Sequence, residues 1–165
     1  PKCIVDVGTG SGAIAIALAK HLPDVFVTAV DLSSEALTVA EENARRLGVR
    51  VRFMQSDLLE AVRGERFDAV VSNPPYVPES DRASLAAEVR EYEPELALFA
   101  GEMGMSVYER LIPQAHRVLE AGGLLAMEFG FGQREAMAAL LRGWKDVRFV
   151  EDLQGIPRVA VAVKS

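Results

Sequence analysis

The sequence lacks the residues that build disulfides and cysteine-based metal sites. It contains one cysteine, Cys3, in 165 residues. One cysteine forms no internal disulfide and no metal cluster, so we expect neither in this chain. Because Cys3 lies in an apolar run, a buried and unreactive thiol is the expected state.

Long apolar runs and an excess of basic charge are also missing. No apolar run reaches the ~20 residues that a bilayer span requires, and no charged segment followed by an apolar one opens the chain as in a signal peptide. We therefore expect no membrane association and a cytoplasmic location. Lys and Arg number 18 against 24 Asp and Glu, for a net charge of −6. Direct binding of nucleic acid usually needs a basic face, so none is expected.

What is present is a regular alternation of strand-like and helix-like segments, with no repeat and no Gly/Ser linker. The length and the 50% hydrophobic content indicate one domain over residues 1–165. Repeated βα units predict an α/β, Rossmann-like fold with a mostly parallel sheet and helices on both faces. The short turn "QGIP" near the end predicts at least one antiparallel pairing. The predicted strands are 2–7, 25–30, 49–55, 67–72, 122–130, 147–150 and 159–163, and the predicted helices are 11–21, 33–47, 105–120 and 133–141.

Polar or glycine-rich residues follow four consecutive strands of this predicted sheet. The first strand leads into "DVGTGSGA" (Asp6–Ala13), the second ends at Asp31, the third is followed by Asp57, and the fourth by "NPPY" (Asn73–Tyr76). Ligands of open α/β sheets bind beyond the carboxyl ends of the strands. We therefore expect these four segments to form one site.

The glycine loop alone leaves the ligand open. Gly8, Gly10 and Gly12 allow a tight turn and a close approach of backbone to ligand. Read through Ala13, the loop also fits the dinucleotide pattern G-x-G-x-x-A. Asp31 suits a ribose hydroxyl with either ligand. Asp57 could accept from an adenine amino group or cap the turn "DLLEAV".

Two features favour S-adenosylmethionine over NAD. Asp6 lies inside the first strand, two residues before Gly8, where a carboxylate attracts the sulfonium and amino groups of a methyl donor and repels a pyrophosphate. The second feature is NPPY, which a dehydrogenase does not need. Pro74 and Pro75 fix φ and remove two backbone donors, so carbonyl oxygens face the site without competing N–H groups.

NPPY suits methyl transfer to a planar amino group. The side-chain carbonyl of Asn73 and a rigid backbone carbonyl can each accept one hydrogen of an –NH2 group and free the nitrogen lone pair. Tyr76 offers a flat face for a planar substrate. Methyl transfer is then in-line displacement at the sulfonium methyl, with catalysis by positioning and electrostatics.

Together these segments resemble a known family. "VDVGTGSGAIAIALA", "AVDLSSEALTVAEENA", "FDAVVSNPPYVP" and "EVREYEPELALFAGEMGM" are similar to the HemK/PrmC family of protein-(glutamine-N5) methyltransferases. The resemblance implies a class I methyltransferase fold with one antiparallel strand among seven. It implies S-adenosylmethionine as cofactor, a monomer, and the glutamine of the GGQ motif of peptide-chain release factors as substrate. Family members carry an upstream helical docking domain, which this chain does not include.

Carried over by position, the resemblance assigns the site residues. The segment Tyr92–Pro94 lies near the substrate entrance, and the substrate amide is held by Asn73, Pro74, Pro75 and Tyr76. The methyl donor is bound by Asp6, Gly8, Thr9, Gly10, Ser11, Gly12, Asp31, Leu32, Asp57, Leu58 and Asn73.

Four alternatives stay open at this point. One is glutamine methylation of a ribosomal protein, and another is an N6-adenine DNA or RNA amino methyltransferase, because NPPY is shared with those enzymes. A base-modifying enzyme must extrude its base and hold the backbone, so a basic stripe is expected there. The others are a nucleotide-binding module without catalysis and a nicotinamide dehydrogenase.

Overall fold

A single seven-stranded sheet is the framework of the protein. The computed structural model describes residues 2–22, 24–74 and 104–165. The strands lie in the order β3-β2-β1-β4-β5-β7-β6. Their bounds are β1 Lys2–Val7, β2 Val25–Asp31, β3 Arg52–Gln55, β4 Phe67–Ser72, β5 Leu119–Glu128, β6 Lys145–Glu151 and β7 Pro157–Val163.

Strands β1 to β5 are parallel, and β7 runs antiparallel to both β5 and β6. This confirms the predicted mostly parallel sheet with antiparallel pairing at its end. The central strand β1 is buried over its last four residues, as expected for a strand covered on both faces. β3 occupies an edge of the sheet, as its alternating polar residues predict.

Four α-helices and one 3-10 turn connect these strands within the described residues. The N-terminal helix begins at Ala13, two residues later than predicted, because Gly12 adopts φ 82° and cannot be helical. The second helix begins one residue after the predicted start and ends where predicted: Ser33 caps it through a hydrogen bond from the Ala36 N–H, and Gly48 ends it with φ 66°. The helices are α1 Ala13–His21, α2 Ser34–Leu47, α3 Ser106–Val118 and α4 Arg134–Leu140, and the 3-10 turn is Glu60–Val62.

Helices cover both faces of the sheet. On β2, Ala29 belongs to a small cluster with Ala15 of α1, whereas the next residue, Val30, belongs to the large core cluster that contains Tyr108 of α3. Successive side chains of a strand point to opposite faces, so α1 and α3 lie on opposite sides. Among residues 2–22, 24–74 and 104–165, no helix combines the length and apolar character that crossing a bilayer requires.

Some local predictions are wrong. The third strand begins at Arg52 rather than at residue 49, and the third helix ends at Val118 because β5, predicted from residue 122, already starts at Leu119 and runs through Gly122 and Gly123 with a shift of register against β4. Helical spacing predicts Leu47 on the buried face of α2, but Leu47 is exposed because the helix ends there and Gly48 redirects the chain. None of these changes moves the ends of β1 to β4, which carry the candidate site.

The strand order places a topological switch point between β1 and β4. From β1 the chain builds outward through β2 and β3 on one side and through β4 and β5 on the other. Connecting segments diverge at such a point and leave a crevice beyond the carboxyl ends of the strands. The glycine loop follows β1 and Asn73 follows β4, so both lie at this crevice.

Candidate active site

The glycine loop is tied to the end of β2. Both Gly8 N–H and Thr9 N–H donate to the Val30 carbonyl oxygen, at 2.8 and 3.1 Å. Gly10 N–H donates to Oδ2 of Asp31 at 2.8 Å. These three hydrogen bonds fasten the glycine loop to the end of the neighbouring strand β2.

The three glycines of the loop serve two different structural purposes. Gly8 and Gly10 have φ of 70° and 56°, and a Cβ added to either meets no atom within 4 Å. Their outer side is open space that a ligand could occupy. A Cβ at Gly12 would lie 3.0 Å from Cβ of Ala40 and 3.1 Å from Cδ1 of Ile16. Gly12 thus serves the packing of α1 against α2, and Gly8 and Gly10 leave room above the loop.

Asp6 is a buried carboxylate beneath this loop. Its Oδ2 accepts from the Thr9 hydroxyl at 2.6 Å and from the Ala15 N–H at 3.1 Å. Its Oδ1 is buried and receives no hydrogen bond from any residue that the structure describes. Burial raises the pKa of Asp6 to about 6; the two hydrogen bonds oppose this rise, and the charge of Asp31 adds to it. A nearby cation stabilises the ionised form of such a carboxylate, and a nearby anion destabilises it.

The raised pKa of Asp6 predicts a pH-dependent stability. Between its unfolded and folded pKa values the folded protein binds the proton more tightly, so the free energy of unfolding falls as pH rises from about 4 to about 6. The change for this one group is about 3 kcal/mol. As pH rises from about 4 to about 7.5, the free energy of unfolding of Asp6→Asn, measured with urea, should increase relative to that of wild type by up to about 3 kcal/mol.

Asp152 is a control whose pKa is shifted in the opposite direction to that of Asp6. Its pKa is lowered, first by the hydrogen bond from Ile156 N–H, so it stabilises the folded state above its unfolded pKa and loses that effect as pH falls. Relative to wild type, Asp152→Asn should become less stable as pH rises. A pH-independent difference between Asp6→Asn and wild type would contradict a buried, cation-seeking Asp6.

Asp31 joins the loop to the start of α2. Oδ1 accepts from Ser33 N–H at 2.9 Å, and Oδ2 is the acceptor for Gly10 N–H. An ionised carboxylate has about four acceptor positions, so both oxygens can still receive a ribose hydroxyl. The next residue, Leu32, is 67% exposed, and its carbonyl oxygen accepts from the Gln55 side chain at 2.9 Å. An exposed apolar side chain there can pack against an adenosine.

The segment after β3 is joined to the same edge. Ser56 N–H donates to the Asp31 carbonyl oxygen at 2.8 Å. Asp57 pairs with Arg110 of α3, at 2.6 Å from Nη2 to Oδ2. Leu58 has φ 51°, a left-handed conformation that is rare outside glycine. The turn that contains Asp57 and Leu58 is therefore joined to Asp31 through Ser56, and Asp57 pairs with an arginine that the sequence did not suggest.

The end of β4 faces the glycine loop across the switch point. The Ser72 hydroxyl donates to the Val7 carbonyl oxygen at 2.8 Å, which fixes the last residue of β4 to the last residue of β1. Asn73 follows and is exposed, and Pro74 is buried. The other residues predicted for the substrate side lie outside the described residues: Pro75, Tyr76, Tyr92, Glu93 and Pro94.

Several residues that hold this site were missed in the sequence. The Asn43 side chain of α2 donates to the Ser11 carbonyl oxygen at 3.0 Å, and Ser72 and Gln55 make the contacts described above. Gln55 and Ser72 end predicted strands, so position gave a signal for both. Asn43 lies in the middle of a helix 32 residues from Ser11, and no local pattern indicates that contact.

Comparison with known proteins identifies the family. Residues 1–91 match the model of the methyltransferase small domain. The chain belongs to the methyltransferase small domain family. The match covers the glycine loop, Asp31, Asp57 and NPPY. Of these, the glycine loop, Asp31, Asp57, Asn73 and Pro74 lie within the described residues, at the carboxyl ends of the parallel strands.

Relatives of this family member carry a more specific name. The chain is 47% identical over 162 residues to the "Release factor glutamine methyltransferase" of Koribacter versatilis and 42% identical over 165 residues to that of Enterococcus faecalis, covering 98% of this chain each time. It spans 58% and 60% of the length of those relatives. The 16S rRNA methyltransferase RsmC of T. thermophilus, solved in complex with AdoMet and guanosine, shares the fold. Its TM-score is 0.71 at 18% identity, with 99% of this chain and 38% of that chain covered.

Proposed function

We propose that this chain is the catalytic domain of an S-adenosylmethionine-dependent methyltransferase. It methylates the side-chain nitrogen of the glutamine in the GGQ motif of peptide-chain release factors. The observation that carries the donor assignment is the pair of carboxylates, Asp6 and Asp31, around an open glycine loop at the switch point. The substrate assignment rests on the names of the relatives and on the NPPY motif after β4.

The described residues fit a cationic donor. Oδ1 of Asp6 lacks a partner among the described residues, and the space above Gly8 and Gly10 is open. Two carboxylates at this loop oppose a pyrophosphate, which prefers uncompensated backbone donors. In this proposal Asp31 binds the ribose, and Leu32, Asp57 and Leu58 flank the adenine. Bound there, S-adenosylmethionine supplies a methyl group on a positively charged sulfur.

The end of β4 supplies the substrate side. Ser72 fixes the strand end, so Asn73 projects from a rigid position next to the glycine loop. In this proposal the side-chain oxygen of Asn73 and the backbone oxygen of Pro74 accept the two hydrogens of the glutamine amide. The nitrogen lone pair then points at the methyl group. With the donor bound, the nitrogen would form its new bond to the methyl carbon as the S–C bond broke, the sulfur would keep that electron pair, and the nitrogen would release one proton to water.

Calorimetry tests the donor half of the proposal. We expect S-adenosylmethionine and S-adenosylhomocysteine to bind the chain with micromolar affinity and NAD to bind at least 100-fold more weakly, on the order of the penalty for placing phosphates beside two carboxylates. Binding of NAD without binding of S-adenosylhomocysteine would contradict the proposal and indicate a dehydrogenase.

Mass spectrometry tests the substrate half. Release factors, ribosomal proteins and RNA or DNA oligonucleotides are incubated separately with methyl-labelled donor and this chain, and also with a version that carries the natural flanking sequence. We expect one added methyl group on the GGQ glutamine and none on the other substrates. A release-factor variant with the glutamine changed to alanine is the control. Labelling of a nucleic acid instead would favour the amino methyltransferase alternative.

A further inference from the structure

The turn at Ser56–Leu59, after β3, has a strained backbone. Leu58 has a φ of 51°, where the Cβ of an L-residue lies too close to the following carbonyl oxygen. A non-glycine residue persists in this conformation only when its surroundings hold it there, and such residues concentrate at functional sites. The contacts that hold Leu58 therefore indicate what the turn is for.

Two hydrogen bonds hold the start of the turn. Ser56 N–H donates to the Asp31 carbonyl oxygen at 2.8 Å, and the Ser56 hydroxyl oxygen accepts from Ala61 N–H at 3.0 Å. These bonds hold Ser56, before the Asp57–Leu58 pair, and Ala61, beyond Leu59. Neither involves the N–H of Leu59, which follows the left-handed residue directly.

The N–H of Leu59 is held from a distant helix. It donates to Oε1 of Gln114 on α3 at 2.9 Å, and both residues are buried, Leu59 at 1% and Gln114 at 8% exposure. A buried amide is costly without a hydrogen-bond partner, so a glutamine here needs a reason. Its neighbours on the buried face of α3 are apolar: Leu111, Ile112, Ala115 and Val118.

A second residue of α3 reaches the same turn. Arg110 precedes Gln114 by four residues, so the two side chains share a face of the helix. Arg110 donates to Asp57 through Nη2 at 2.6 Å, and both side chains are about half exposed. One helix face thus contacts the turn on each side of Leu58, at Asp57 and at Leu59.

We propose that Gln114, assisted by Arg110, is a positioning residue for the adenine end of the methyl donor. By binding Leu59 N–H it keeps Leu58 left-handed and holds Asp57 and Leu58 where the adenine lies. This inference rests on the proposed function, which assigns the turn to the donor. It makes α3 part of the donor site through its contacts with the turn.

The test is equilibrium binding with matched variants. Gln114→Met keeps the length of the side chain and removes the strong acceptor, whereas Gln114→Glu keeps an oxygen acceptor. We expect Gln114→Met to raise the Kd of S-adenosylhomocysteine about tenfold, as for a lost hydrogen bond, and Gln114→Glu to recover most of that loss. The same loss is expected with 5′-methylthioadenosine, which keeps the adenosine and lacks the amino-acid part.

Gln133 gives a control of the same chemistry. Its Oε1 accepts from Gly130 N–H at 2.8 Å, and it is 3% exposed, so it also is a buried glutamine that holds a loop beyond a strand. Gln133→Met should leave the Kd of S-adenosylhomocysteine within about twofold of wild type. For Gln114→Met, the rate at saturating donor should stay within about twofold, because the chemistry is distant from the turn.

Three results would overturn the inference. They are an unchanged Kd in Gln114→Met, an equal loss in Gln133→Met, and a loss seen with S-adenosylhomocysteine but not with 5′-methylthioadenosine. If Gln114→Met does not fold, the exposed Arg110→Met decides, with a loss of about threefold expected and no loss contradicting the inference. Failure of the proposed function is distinct, because the wild-type chain would then not bind S-adenosylhomocysteine at all.

Discussion

Replacing Asn73 with alanine should lower the rate of methyl transfer by about 100-fold or more, as removal of one positioned polar group does in other active sites. The side-chain oxygen of Asn73 is proposed to orient the glutamine amide, which matters for reaction far more than for donor binding. We therefore expect the Kd of S-adenosylhomocysteine to stay within about threefold of wild type. Because Asn73 is exposed, thermal stability should change little.

The other asparagine of the chain provides the contrast. Asn43 holds the Ser11 carbonyl oxygen of the glycine loop and lies away from the end of β4. Asn43→Ala should therefore raise the Kd of the donor by about threefold and leave the rate at saturating donor unchanged. The measurements are single-turnover methylation followed by mass spectrometry, and calorimetry. Unchanged turnover in Asn73→Ala would remove NPPY from the mechanism.

The second large effect is expected at Gly12. Alanine there must adopt φ 82° and place its Cβ 3.0 Å from Cβ of Ala40, which belongs to the buried face of α2. The left-handed backbone costs about 1–2 kcal/mol, and overpacking adds about 1–3 kcal/mol. We expect Gly12→Ala to destabilise the fold by about 2–5 kcal/mol in urea unfolding and to abolish donor binding by moving α1 away from the loop.

Gly48→Ala separates the cost of the left-handed backbone from the cost of overpacking. Gly48 ends α2 with φ 66°, and a Cβ there meets no atom within 4 Å. This variant carries the backbone cost without the steric conflict, so a loss of about 1–2 kcal/mol and normal donor binding are expected. Equal losses in Gly12→Ala and Gly48→Ala would show that the contact between α1 and α2 does not matter.

Local rules were sufficient for much of the fold. β1 and β4 have the predicted bounds, and α2 begins after Ser33 and ends at Gly48 as capping chemistry predicts. These elements combine strong periodicity with clear end signals, so neighbours along the chain decide their limits. The strand ends then fix which residues can meet at one edge, and the predicted donor residues do lie along that edge.

Tertiary contacts decide what local rules could not. Two adjacent glycines normally favour a turn, yet Gly122 and Gly123 lie within β5, where Gly122 N–H donates to the Lys164 carbonyl oxygen and the Gly123 carbonyl oxygen accepts from Lys164 N–H. The bond between Leu59 and Gln114 joins residues 55 apart, so no pattern within either segment indicates it. The burial of Asp6, and hence its raised pKa, follows from packing around β1 that appears only in three dimensions.

The antiparallel direction of β7 has a practical consequence. Because β7 starts beside the carboxyl end of β5, the turn between β6 and β7 lies at the same edge of the sheet as Asn73. Leu153 in this turn is fully exposed, at 107%. Asp152 braces that turn by accepting the N–H groups of Gln154 and Ile156. With only one native thiol, partly buried, in the chain, Leu153→Cys would be a selectively reactive anchor for a fluorophore or spin label. If the proposed protein substrate docks at this edge of the sheet, such a reporter would time its arrival and departure.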